Sequence, residues 1–221
     1  NEAYIKELSH KMIADIVAKG GGDMIKDLAT PFVTLVIADL LGVPAEDRDI
    51  FMQLIDAAPP PGSLNPEDNV MISEDHPMVI MAGYFARYIM ERQQTPRDDI
   101  LSELAHTLYP NGEKPEFADL ITLSTFMFGA GQDTSAKLLG NAIRFITDEP
   151  GLQDQLRADP SLIPAMLEEV LRLEGSTKQT ARLARRDTKI GDYDIKAGTR
   201  LLVSLSAANR DPSRWENPGE F

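Results

Sequence analysis

Gly129-Ala130-Gly131-Gln132-Asp133-Thr134-Ser135 sits in the middle of the longest helical pattern in the chain and breaks several of its rules at once. The pattern runs over 115–147 with no breaker other than glycine, and Pro150 marks its end. A helix of that length spans roughly 50 Å. Leu120, Ile121, Leu123, Phe126, Met127 and Phe128 make its first half apolar nearly all round, which predicts burial on most sides. No sustained heptad is present, so a coiled coil is not favoured. Against that background two glycines cost about 1 kcal/mol each relative to alanine. A buried carboxylate costs more unless it is paired or neutral. Local rules broken together mark functional sites more often than accidents. Glycine admits a flat ligand or a second backbone, and the Thr134 hydroxyl reaches the Ala130 carbonyl one turn back and opens the helix locally. The alternative is a kinked helix packed on a neighbour, with Gln132 and Asp133 on a solvated side. The residues alone leave both readings open.

Upstream, the chain reads helical. Ile5, Leu8, Met12 and Ile16 recur at helical spacing up to the stop at Gly20-Gly21-Gly22. Thr30-Pro31 predicts a second helix, a capping hydroxyl followed by proline at the first position. Gly42 and Pro44 close it. A third is predicted over 45–57, ending at Pro59-Pro60-Pro61, with a loop over 62–73. Helices follow over 77–94 and 96–109, and Asn111-Gly112 makes a turn.

Downstream, 163–174 is predicted helical, with Ile163, Met166, Leu167, Val170, Leu171 and Leu173 on an apolar face. Glu168, Glu169 and Arg172 lie opposite. The character then changes to short strands over 180–190, 193–195 and 200–206, with turns at Gly191-Asp192 and Ala197-Gly198. The expected fold is mainly α with a small β region, built around one long central helix. It reads as a single domain: 1–174 mostly helical, 175–206 the β region, and 207–221 a further segment.

Composition bounds the function. The 221 residues carry a formal net charge of −13. That argues against nucleic acid, which needs a basic footprint, and against anionic lipid surfaces. There is no cysteine, which removes zinc-thiolate sites and cysteine nucleophiles from these residues. His10, His76 and His106 show no metal-ligand spacing, so no metal-binding residue is expected. The apolar stretches are interrupted by Asp39, Arg87 and Asp133, so no membrane span is predicted. Both ends read as cut, and the chain is expected to be a piece of a longer one.

Ala130-Gly131-Gln132-Asp133-Thr134-Ser135 resembles the oxygen-activation motif in the long central helix of the cytochrome P450 family. Glu169-Val170-Leu171-Arg172, about 35 residues on, resembles that family's Glu-x-x-Arg motif. Arg182-Leu183-Ala184, Asp187, Ile190-Gly191, Ile195 and Ala197-Gly198 resemble its β region. Ala207-Ala208-Asn209-Arg210-Asp211-Pro212, Trp215 and Pro218 resemble the segment approaching the haem loop. Leu41-Gly42-Val43-Pro44 with Asp47 resembles a helix junction of bacterial members.

The resemblance implies a haem-thiolate monooxygenase of the soluble bacterial type, cytoplasmic, with haem b as cofactor. Its axial cysteine lies in a loop beyond Phe221, so the 221 residues alone are expected to be inactive. The activity implied is insertion of one oxygen atom from O2 into a hydrophobic small molecule, with electrons from a ferredoxin or flavodoxin-type donor. Ala130, Gly131 and Thr134 would face the haem, Asp133 and Thr134 would deliver protons, and Arg182 would pair a propionate. Glu169 and Arg172 would form a buried structural pair, joined by a residue of the β region. Phe126, Met127, Thr177 and Lys178 are substrate-pocket candidates, the last two beside Gly175-Ser176, where relatives carry Ser-Pro. From the residues alone, Glu169 and Arg172 read as a surface ion pair, Phe126 and Phe128 as core, and Met71, Met78, Met81 and Met90 as packing. Arg182, near Arg185 and Arg186, reads as part of a solvated basic face. A non-catalytic helical module, or a fragment stable without haem, is the competing class. A hydrolase is a weaker third, because no nucleophile-elbow motif is present.

Overall fold

Helix α1 (Glu2–Ala18) ends just before the three glycines. The computed structural model describes residues 2–58 and 73–221. The Asp23 carboxylate accepts the N–H groups of Ile25 and Lys26 and starts a π-helical segment, Met24–Ala29. That segment runs without a break into α2 (Thr30–Leu41). Thr30 is therefore not the cap read from the sequence. Its N–H already bonds the Ile25 carbonyl, and its own carbonyl accepts the Thr34 hydroxyl at 2.7 Å. Gly42 closes α2 in the left-handed region at φ +89°, with its N–H on the Ala38 and Asp39 carbonyls. A Cβ here would strike the Asp99 carboxylate as well as strain the backbone.

The helix predicted over 45–57 is a 3-10 turn, Ala45–Asp47, followed by α3 (Arg48–Ala57). Pro59-Pro60-Pro61 and residues 62–72 of the loop predicted over 62–73, Met71 among them, lie outside the described residues. Helix α4 (Pro77–Gln94) has the predicted bounds. Helix α5 (Ile100–His106) is shorter than the 96–109 expected. Asp99 Oδ1 accepts the Ser102 N–H at 2.8 Å while Ser102 Oγ accepts the Arg97 N–H at 2.8 Å, so the residues before Ile100 are held as a cap.

After α6 (Phe117–Asp148) come α7 (Leu152–Ala158), a 3-10 turn and α8 (Ile163–Glu174). Strand β1 (Gln179–Leu183) pairs antiparallel with β4 (Arg200–Ser204), and β2 (Thr188–Ile190) with β3 (Tyr193–Ile195). The single strand read over 180–190 is thus two strands in separate sheets. Between them Ala184 donates its N–H to the Thr199 carbonyl. β4 stops two residues early because the Ser204 hydroxyl accepts the Ala207 N–H and caps a short α9 (Leu205–Ala208).

The chain forms two compact units, Asn1–Ala136 and Lys137–Phe221. The core of the first gathers Leu41, Phe51, Met81, Phe85, Tyr88, Ile89, Leu101 and Phe128. Phe51 is its hub, edge-on to Phe128 at 4.9 Å and to Phe85 at 5.5 Å. Such pairs add about 0.5–1.5 kcal/mol each beyond area burial. In the second unit Ala142, Leu156, Met166 and Val170 form the buried cluster. Asn141 Nδ2 donates to the Glu174 carbonyl at 2.6 Å, satisfying the end of α8.

Candidate functional site

Within the first unit, α6 is not buried all round. Leu120, Ser124, Thr125, Phe128, Gln132 and Ala136 are buried, while Leu123 is 42% and Phe126 65% exposed. The buried stripe follows helical spacing, and the apolar excess read as burial on most sides instead leaves a second face open. Phe126, Ala130 and Thr134, one turn apart, share that open face. Gln132, placed on a solvated side by the alternative reading, is 6% exposed, and Asp133 is half-buried.

The Thr134 hydroxyl donates to the Ala130 carbonyl at 2.9 Å, and α6 continues through this turn without interruption. Gly131 has a packing reason as well: a Cβ would lie 3.0 Å from Ile37 Cδ1 of α2. Met127 packs against the first unit's core. Met81 is in that core, and Met90 is 49% exposed.

Two features of this unit escape sequence reading. Arg92 is fully buried and Asp99 nearly so. The guanidinium bonds Asp99 Oδ2 through Nε at 3.1 Å and Nη2 at 2.9 Å, and Nη2 also meets the Gly42 carbonyl at 2.6 Å. Burial alone would raise the Asp99 carboxyl, but hydrogen bonds from Ser102 and Arg92 together hold it below the usual carboxylate range. The second feature is His76, the N-cap of α4; its signal was the His76-Pro77 pair, a cap followed by proline at the first helical position. A cavity of about 370 Å³ is lined by Lys26, Thr30, Pro31, Thr34, Met52 and Asp56, none of them a predicted site residue.

In the second unit Arg172 is buried, 8% exposed, on the face read as polar. Ile163, on the face read as apolar, is 40% exposed. Arg172 grips Glu169 through Nε at 2.8 Å and Nη2 at 2.5 Å. Its remaining donors reach the carbonyls of Asn209 (3.0 Å), Pro218 (2.8 Å) and Glu220 (2.8 Å). The surface-pair reading therefore fails, because the other side of the fork closes on backbone. The third party is the 207–221 segment, not the β region that was expected to join the pair. Trp215 stacks its ring 5.1 Å from the guanidinium. Arg172 hydrogen bonds hold the Glu169 carboxyl below its ordinary range.

Gly175 follows α8 where a Cβ would lie 2.6 Å from the Leu171 carbonyl oxygen. Thr177 and Lys178 are exposed, and Lys178 Nζ is 2.5 Å from Glu174 Oε2. Arg182 is exposed on β1, with Nη1 on Thr180 Oγ1 and the Ala181 carbonyl, both at 2.8 Å. Arg185 and Arg186 are exposed too. The predicted residues thus fall into two groups: Phe126, Met127, Ala130, Gly131, Asp133 and Thr134 on α6 of the first unit, and Glu169, Arg172, Thr177, Lys178 and Arg182 in the second. Among the described residues no cluster of metal-ligating side chains occurs, and no helix is long and apolar enough to cross a membrane.

The family model for cytochrome P450 matches residues 160–221. Over its full length the chain is 32% identical to the putative cytochrome P450 YjiB of Bacillus subtilis and covers 56% of that protein. The chain spans about half the length of the curated relatives it matches. Among solved structures, substrate-free CYP150A6 of Mycobacterium marinum superposes with a TM-score of 0.86 at 40% identity, over 100% of this chain and 50% of that one. CYP109E1 of Bacillus megaterium in complex with corticosterone gives 0.86 at 26% identity, over 100% and 59%.

Proposed function

The chain belongs to the cytochrome P450 family, and from that premise we propose that it is the part of a haem-thiolate monooxygenase that builds one face of the haem site and its proton supply. The observation that carries the reading is the α6 turn at 130–134. An exposed alanine and threonine share a face there, the hydroxyl is anchored on the Ala130 carbonyl, and a half-buried carboxylate is its neighbour. The open stripe Phe126, Ala130, Thr134 is small or apolar, which suits a flat macrocycle lying against it. The 221 residues hold no cysteine, so the thiolate on iron would be supplied by a residue outside them. Arg182, exposed and with three further N–H donors beyond Nη1, would hold a propionate.

Haem, when bound, supplies the redox chemistry that splits O2 and inserts one atom into substrate. The chain's own part is to place that chemistry and feed it protons. Thr134 Oγ1 donates to Ala130 O and, like any hydroxyl, has lone pairs that accept from water. It would thereby fix a water beside the open face. Asp133, about 100° round the helix, would pass protons between that water and solvent. Phe126 and Met127 would border an apolar substrate, with Thr177 and Lys178 further candidates. The tie of Lys178 to Glu174 makes it the less available of the two. Lipophilic ring compounds of the kind held by the corticosterone-bound neighbour are the first substrates to try. Electrons would come from a ferredoxin or flavodoxin-type protein in the cytoplasm.

The test is the full-length protein containing this segment, loaded with haem and given a redox partner, labelled dioxygen and a panel of lipophilic compounds. The expected outcome is a carbon monoxide spectrum of thiolate-bound haem and one labelled oxygen atom in the product. A folded protein that takes up no haem would overturn the proposal.

A further inference from the structure

None of the residues that line the cavity of about 370 Å³ belongs to α6. Its walls come from the π-helical segment and α2 on one side and from α3 on the other. Lys26, Thr30 and Thr34 recur at every fourth residue, and Met52 and Asp56 are likewise four apart, so each set runs along one side of its helix. The floor is buried and the rim is charged: Thr34 is 1% exposed, whereas Lys26 and Asp56 are exposed. Pro31, Met52 and the threonine methyl groups supply apolar surface between them.

Three polar groups here have no partner among the described residues. Lys26 Nζ and the Asp56 carboxylate line one cavity from opposite walls, yet neither forms an ion pair or a hydrogen bond. The Thr30 hydroxyl forms none either; only its carbonyl is engaged, by Thr34 Oγ1 at 2.7 Å. The Asp23 carboxylate, three residues before Lys26, is taken up by the backbone N–H groups of Ile25 and Lys26. The wall that carries Lys26 is π-helical, the Thr30 N–H reaching the Ile25 carbonyl five residues back. Such turns are rare and recur at functional sites.

A ligand that matches this rim carries both charges. A lone anion would sit against Asp56 in a chain of net charge −13, and a lone cation would sit against Lys26. A carboxylate on Lys26 and an ammonium on Asp56 make two charge-assisted hydrogen bonds. The Thr30 hydroxyl can donate to the one or accept from the other. An apolar chain then continues onto Pro31 and Met52, and a cavity at the small end of the range for ligand pockets limits its size. We propose that the cleft between α2 and α3 is a binding site for a small zwitterion, a free α-amino acid with an apolar side chain.

L-Phenylalanine, phenethylamine and 3-phenylpropionate share one apolar group and carry both charges, only the positive one and only the negative one. Their dissociation constants are measured by calorimetry on the full-length protein and on its Lys26→Gln and Asp56→Asn variants, both substituted at exposed positions. L-Phenylalanine should bind at about 1 mM or tighter, and each analogue about tenfold more weakly. Lys26→Gln should bring phenylalanine down to the affinity of phenethylamine and leave phenethylamine within about twofold. Asp56→Asn should bring it down to the affinity of 3-phenylpropionate and leave that analogue within about twofold. No binding of L-phenylalanine by the unsubstituted protein, or equal affinity for all three ligands, would overturn the proposal. So would phenylalanine binding that neither substitution alters, which places the ligand elsewhere, or an equal loss for all three ligands, which marks general damage to the fold.

Discussion

Arg172 shows how one side chain ties an element to a distant segment. Its fork serves Glu169 and three backbone carbonyls at once, so removing it orphans the carboxylate and leaves those oxygens without their donor. Breaking a buried pair costs about 3–5 kcal/mol, and because Glu169 keeps a third of its side chain exposed the lower end applies. Arg172→Ala should therefore lose about 3 kcal/mol in urea denaturation; a loss under about 1 kcal/mol would return the pair to the class of surface contacts. Gly175 is the other decisive position. A methyl group there would press on the Leu171 carbonyl oxygen, which belongs to backbone and cannot swing away. Gly175→Ala should cost about 1–3 kcal/mol, read as a lowered melting temperature, and an unchanged melting temperature would contradict the close approach. Neither effect is visible in sequence. The Glu169 and Arg172 spacing fits an exposed pair equally well, and only the carbonyls of 209–220 folding back over the helix make it buried.

At the scale of elements, proline and glycine made boundaries legible. Pro77, and Gly175 after Glu174, bracket α4 and α8 where the sequence placed them, because proline starts and glycine stops a helix through local sterics alone. Where side-chain capping decides, the reading slipped. α5 begins at Ile100 because Asp99 and Ser102 exchange bonds with the backbone, and α2 has no cap at Thr30 because a π-helical segment precedes it. With only seven residues, α5 is too short to persist alone. It is held by the clasp of Arg92, Asp99 and the Gly42 carbonyl, which joins α4, α5 and the end of α2. The clasp was hidden because Arg92 sits in an ordinary amphipathic pattern and its partner oxygen on Gly42 is fifty residues away. Asp99→Ala strands a fully buried guanidinium, and about 3–5 kcal/mol should be lost. Hydrogen exchange should show the α5 amides losing protection first. Exchange that stays slow in α5 would mean that apolar packing, not the clasp, retains it.

For the molecule as a whole, charge sets the response to pH. Hydrogen bonding holds the Asp99 and Glu169 carboxyls below their unfolded values. The stability they contribute is present above the unfolded value and is lost as pH falls through the folded one. A net charge of −13 opposes compaction at neutrality, and mild acid relieves that repulsion. Stability should stay nearly level from about pH 7 to 5 and drop steeply below about pH 4. A level profile down to about pH 3 would show that neither carboxylate matters to folding. The mainly helical fold was legible from periodicity, whereas the open face of α6 was not, since an apolar helix facing a ligand and one facing a core have the same composition. The central claim, that this face serves oxygen chemistry through Thr134, is tested most directly by the division of reducing equivalents between product and hydrogen peroxide in the full-length Thr134→Ala enzyme. With the hydroxyl gone, haem and substrate binding should persist while most equivalents leave as peroxide. A product-to-peroxide ratio equal to that of the unsubstituted enzyme would contradict the account and leave Thr134 as a residue that only braces its helix.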